Sequence, residues 1–147
     1  MGSIPTYRPK LERRRTTRLF LFTSIINNDK YGNFLRIQKD SCGTSESNGG
    51  SVTLLLTNQK PAGNIVVDSI STLKMTMKTS LYYEGQINAD NSAKSVSLTL
   101  DKTSKIKLIG NSYVTSLEND DSTNSNIDFN GYKLYVNGTA IKKELII

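Results

Sequence analysis

From Leu19 onward the apolar residues of this chain recur at every second position, and no window of a dozen residues carries a helical stripe. Leu19, Leu21, Thr23 and Ile25 alternate with Phe20, Phe22 and Ser24, and Val52, Leu54 and Leu56 with Thr53 and Leu55. The same beat runs through Leu73, Met75 and Met77, then Val96, Leu98 and Leu100, then Ile106 and Leu108, and finally Tyr132, Leu134 and Val136. Period-two alternation puts one side of an extended strand on a core and the other toward solvent. Shorter segments of strand character are Phe34–Ile37, Ile65–Val67, Leu81–Tyr83, Tyr113–Leu117 and Ile141–Ile147. The body is all-β.

Turn residues punctuate these runs. Asn27-Asn28-Asp29, Gly49-Gly50, Pro61-Ala62-Gly63, Asn88-Ala89-Asp90-Asn91, Gly110-Asn111, Asn130-Gly131 and Asn137-Gly138 fall between the segments. Asn137-Gly138 is the strongest hairpin signal, because Asn-Gly suits the two left-handed positions of a type I′ turn. Roughly eight to ten short strands at this spacing predict an antiparallel β-sandwich or barrel. Ser41–Gly50 and Glu118–Asn126 hold little to bury and read as exposed loops. No internal repeat of fixed period is visible. Residues 19–147 form a single domain of a size that buries about two-thirds of its surface on folding.

Ahead of that body lies a charge cluster. Five of the six arginines fall within residues 1–18: Arg8, Arg13, Arg14, Arg15 and Arg18. With Lys10, and against Glu12, they give the segment +5 out of the chain's +6, so the remaining residues come to +1. Pro5 and Pro9 break any helix there, and the run has little apolar surface with which to order itself, so residues 1–18 read as a flexible basic arm. Guanidinium groups make bidentate bonds to phosphate oxygens, which points to nucleic acid as the partner. An arm of this kind grips backbones and carries little base information.

The composition argues against catalysis. The chain has no histidine and one cysteine, Cys42. The usual Ser/His and Cys/His nucleophile pairs therefore cannot be built, and a Cys/His zinc site would need more ligands. No glycine-rich phosphate loop is present, and the acidic residues are scattered singly. The chain reads as a non-enzyme with no cofactor. No apolar run nears the roughly 18 residues that span a bilayer, and a single cysteine excludes an internal disulfide, so the expected setting is inside a cell.

Weaker motifs each have a plainer reading. Met1-Gly2-Ser3-Ile4-Pro5-Thr6 matches the myristoylation pattern at Gly2, and an acyl chain beside the basic arm would make a membrane a partner. The spacing Asn124-x-Asn126-x-Asp128-x-Asn130 echoes a calcium loop, without the closing Glu of an EF-hand; a polar turn explains it better. Asn137-Gly138-Thr139 fits a glycosylation sequon, for which the hairpin turn is again the simpler account. Tyr82, Tyr83, Tyr132 and Tyr135 could stack on bases, but their strand positions favour packing.

The arm Arg8-Pro9-Lys10-Leu11-Glu12-Arg13-Arg14-Arg15, running into a near-neutral, strand-rich body heavy in Ser, Thr and Asn, resembles the small coat proteins of simple icosahedral or satellite-type viruses. The resemblance is one of architecture and composition, with no diagnostic motif. It implies an eight-stranded jelly roll, a homo-oligomer of many copies, and a virion or host-cell location, the nucleus included. Its function would be a structural coat or nucleocapsid protein that packages nucleic acid through the arm. Two other readings stand beside it: a non-capsid nucleic-acid-binding β-barrel, and a myristoylated, membrane-associated accessory protein.

Overall fold

The computed structural model describes residues 17–22, 32–39 and 48–145. Side chains alternate half-buried and buried along β3 (Ser51–Thr57) and β7 (Ser95–Leu100), and buried with half-buried or exposed along β5 (Thr72–Lys78). That is the beat read from the sequence. The pairing is not what the beat suggested: β3, β5 and β7 are mutually parallel, with β1 (Thr17–Phe22) beside β3 and β10 (Ser116–Asn119) beside β7.

The strands skipped by that sheet form two further faces. β6 (Tyr82–Gly85), β8 (Lys105–Leu108) and β11 (Ile127–Asp128) make a second parallel sheet, which Ala62 extends by a bridge to Glu84. On the third face β2 (Asn33–Ile37) pairs with β4 (Asn64–Val67), and β9 (Ser112–Val114) with β12 (Leu134–Val136). Ile87 joins these two pairs, bridging to Ile65 and accepting a bond from the Tyr113 amide at 3.0 Å. The chain therefore coils through three faces and stacks on itself as a β-solenoid of about 4 turns.

This overturns the antiparallel sandwich and the eight-stranded jelly roll expected above. Alternation reports that one side of a strand is buried; it does not report the direction of the neighbouring strand. Parallel strands need a crossover of a dozen or more residues, and here the crossover is the other two faces of the coil. Among the described residues, the turn signals ahead of Asn137-Gly138 bend the chain around corners instead of reversing it. Contacts between successive turns span 19 residues at Ser97 and Ser116 but 25 at Ile87 and Ser112, which is why no fixed period could be read.

One reversal does occur. β12 and β13 (Thr139–Ala140) form the sole antiparallel pair among the described strands, with Val136 opposite Thr139. Asn137 (φ 48°) and Gly138 (φ 84°) make the turn, as its type I′ signature requires. The second strand of this hairpin is shorter than, and lies ahead of, the expected Ile141–Ile147 segment.

The core is a set of vertical columns. Val52, Leu73 and Val96 lie in register on the first face, as do Leu54, Met75, Leu98 and Leu117, and Leu56, Met77 and Leu100. Tyr83, Ile106 and Ile127 line up on the second face, and Ile65 with Ile87 on the third. All of these except the half-buried Leu117 are buried. Full burial of such a side chain is worth roughly 1.5–3 kcal/mol. Because each turn touches its neighbours alone, stability accumulates turn by turn.

Tyr83 ties its turn to the one stacked before it. Its hydroxyl donates to the Gly63 carbonyl at 2.6 Å, and burial pushes its ionisation far above the ordinary tyrosine range. Gly85 leaves room for that bond: a Cβ there would stand 2.1 Å from the Gly63 oxygen and 2.2 Å from the Tyr83 hydroxyl.

Candidate nucleic-acid interface

Of the residues assigned to the arm, Arg8, Lys10, Arg13, Arg14 and Arg15 lie outside the described residues, as do Gly2 and Cys42. Arg18 falls within them, in β1. The first strand thus begins at Thr17, and the expected arm boundary at residue 18 lies just inside it. In backbone register Phe20 sits beside Leu54 and Phe22 beside Leu56. The basic run therefore leads directly into the edge strand of the five-stranded sheet.

The outward side of that sheet is dominated by hydroxyls. Thr53, Lys74, Ser97 and Ser116 share one column; Leu55, Thr76, Thr99 and Glu118 share the next. Neighbouring hydroxyls satisfy one another: Thr72 donates to Ser51 at 3.0 Å and Ser116 to Ser97 at 2.9 Å. Lys74 and Lys78, both exposed, are the cations of this surface in β5. On the second face Glu84, Lys107 and Asp128 follow one another in register, so opposite charges are neighbours there and no cationic row forms.

Acidic side chains at the corners are engaged with backbone. Asp101 accepts bonds from the Thr79, Thr103 and Ser104 amides and from the hydroxyls of Thr103 and Ser104, all at 2.8–3.0 Å. Partial burial pushes its carboxyl up, and these bonds outweigh it, holding the group at about 2. Asp121 accepts from the Ser125 hydroxyl at 2.5 Å and the Thr123 hydroxyl at 2.7 Å, which hold its carboxyl well below the usual range.

The spacing that echoed a calcium loop is a hydrogen-bonded corner. The Asn124 side chain donates to the Lys142 carbonyl, and Asn126 is buried against Asn119. Asp128 accepts from the Asn130 amide, and the Asn130 side chain donates to the Leu108 carbonyl. Among the described residues no group of three or more His, Cys, Asp or Glu side chains converges as a metal site would. The expected exposed loop at 118–126 is thus partly strand and partly this ordered corner.

The third face holds an arrangement that sequence reading missed. Tyr113 and Tyr135 are register partners in β9 and β12, and their rings stack at 4.8 Å with planes 7° apart. The spacing equals the distance between neighbouring strands, so the stack follows from placing like residues one turn apart. Their separation matches the 22-residue offset that bonds the Lys133 amide to the Asn111 side chain. That offset was the available signal, and without knowledge of the coil it is indistinguishable from chance. Tyr132, also expected to pack, is 42% exposed.

Comparison of the chain with protein-family models, curated proteins and solved structures found no match to any of them.

Proposed function

We propose that this chain is a non-catalytic nucleic-acid-binding protein. Arg8, Lys10, Arg13, Arg14, Arg15 and Arg18 hold phosphates, and the solenoid is the rigid frame to which that grip is attached. The observation that carries the reading is the charge split: +5 of a total +6 lies within residues 1–18, whose last member, Arg18, already stands in a strand integral to the body. A basic segment anchored by β1 starts every contact from a fixed edge, and Lys74 and Lys78 stand on the outer side of the same sheet, two strands in. The coat-protein resemblance implied a jelly roll, which the parallel solenoid replaces; phosphate binding through the basic arm does not depend on that fold.

The test is binding of the full chain to a labelled single-stranded oligonucleotide by fluorescence anisotropy between about 50 and 200 mM salt. The triple variant Arg13→Ala, Arg14→Ala, Arg15→Ala should lower the slope of log affinity against log salt by about 2, from roughly 0.7 per phosphate contact on a single strand. Unaltered affinity and slope in that variant would remove the arm from the interface.

A further inference from the structure

The Tyr113–Tyr135 stack ends abruptly. Tyr135 pairs with Tyr113 on one side and with Ala140 on the other, so the column of rings is followed by a single methyl group. The position where a third ring would lie is not filled by the side chain in register with it. Ile141 still lies beside Leu134, and beyond it the chain is bonded to the corner between β10 and β11, the Lys142 carbonyl accepting from the Asn124 side chain and the Glu144 amide donating to the Thr123 carbonyl. The tail is thus held by backbone bonds at residues 123–124 and not in register with Tyr135.

Two cations flank this place. Lys133 precedes Tyr135 by two residues and so shares its side of the strand. The Ile141 amide bonds the Leu134 carbonyl at 2.9 Å, one pair beyond Tyr135–Ala140, and counting that register one residue further sets Lys142 against Lys133. Both lysines are exposed. Like charges opposed across a hairpin are mutually unfavourable, and an anion between them relieves that repulsion.

We propose that the outer ring face of Tyr135, above Ala140 and beside Lys133 and Lys142, is a stacking site for one base of a single-stranded nucleic acid, with the adjacent phosphate held by the two lysines. A planar ring fits because Tyr113 and Tyr135 already show the 4.8 Å stacking distance of this column. An anion fits because the two flanking side chains carry the same positive charge. A duplex does not fit, since its bases stack on each other and their faces are closed to a side chain. The inference deepens the nucleic-acid reading above but stands on different residues, and the two can fail separately.

The experiment compares full-length wild type, Tyr135→Leu, Tyr135→Phe, Lys133→Ala/Lys142→Ala and the arm triple variant, each first shown folded by circular dichroism. The probes are a short single-stranded oligonucleotide, the matching duplex and a neutral oligosaccharide. Expected results are an approximately tenfold loss of single-strand affinity in Tyr135→Leu, retention in Tyr135→Phe, and no change for duplex. Tyr135→Leu should leave the salt slope untouched, whereas the lysine pair should lower it by about 1.4 and the arm variant by about 2. Single-strand binding unaltered by Tyr135→Leu would overturn the site, whatever the arm variant does. Loss that falls equally on duplex, or Tyr135-dependent binding of the sugar alone, would overturn it as well. An arm variant without effect beside a sensitive Tyr135 would leave the stack standing and remove the arm.

Discussion

Asn119 and Asn126 exchange a reciprocal pair of side-chain amide bonds, Asn119 donating at 2.8 Å and Asn126 at 3.0 Å. Asn119 ends β10 and Asn126 precedes β11, so this pair joins the two ends of the longest corner of the last turn, inside which Asp121 accepts bonds from Thr123, Ser125 and Asn126. Asn126 is 6% exposed, which leaves little water to replace a lost partner. Replacing Asn126 with Ala removes both bonds of this pair and the Asn126 bond to the Asp101 carbonyl, while Asn119 keeps Asn124 and the Asp121 amide as partners; the loss should destabilise the fold by about 1–3 kcal/mol. Hydrogen exchange should rise first in residues 116–128, as a solenoid loosens locally before it unfolds. Uniform loosening along the chain would contradict the turn-by-turn account.

Gly85→Ala is expected to be costly despite its small size. The added carbon meets the Gly63 oxygen and the Tyr83 hydroxyl together. Overpacking of this kind costs about 1–3 kcal/mol by chemical denaturation. Adding Tyr83→Phe should recover part of that loss and not all of it, because the Gly63 oxygen remains in the way. A double-mutant cycle showing no coupling between the two sites would refute the shared-space explanation.

Leu98 is 1% exposed and stands between Met75 and Leu117 in its column. Leu98→Ala should cost about 2–5 kcal/mol, with Leu98→Met far milder because it nearly conserves volume. Thermal melts of both variants decide the point. Thr53→Ala, on the outward side of the same sheet, is expected to shift the melt by much less.

Asp101 supplies a pH dependence. Its folded-state carboxyl titrates at about 2, below the ordinary 3.8, so the folded protein holds the charged form more firmly than the unfolded chain does. The contribution is therefore present above about 3.8 and disappears as pH falls toward 2. Asp121 is shifted in the same direction by its bonds to Ser125 and Thr123. Urea midpoints measured from pH 5 to pH 2 should fall, and Asp101→Asn should flatten that decline. An unchanged slope in the variant would show that other carboxylates govern acid sensitivity.

Strand positions were largely legible from the chain. The alternations at Val52–Leu56, Leu73–Met77 and Val96–Leu100 became β3, β5 and β7, and the Asn137-Gly138 turn became the β12–β13 hairpin. Strand direction was not legible. Corners such as Thr79-Ser80, both with left-handed backbone, use the same short polar residues that make hairpins, and their bend depends on tertiary packing. The interface divides in the same way. Arginines crowd together in sequence and are visible at once, whereas Tyr113 and Tyr135 meet because a whole turn of chain separates them. A local reading cannot detect a contact whose cause is the pitch of the coil.

The corners differ widely in length while the faces keep their register. Thr115 alone joins β9 to β10, whereas residues 120–126 join β10 to β11. Such unevenness marks where this architecture can absorb genetic change. Insertions or deletions at a corner leave the inward columns aligned, and duplication of a full turn would present each neighbour with a surface like the one it already packs against. Descendants of such a chain could diverge in length and corner sequence while keeping the same core chemistry, so kinship would be carried by the inward residues and blurred elsewhere.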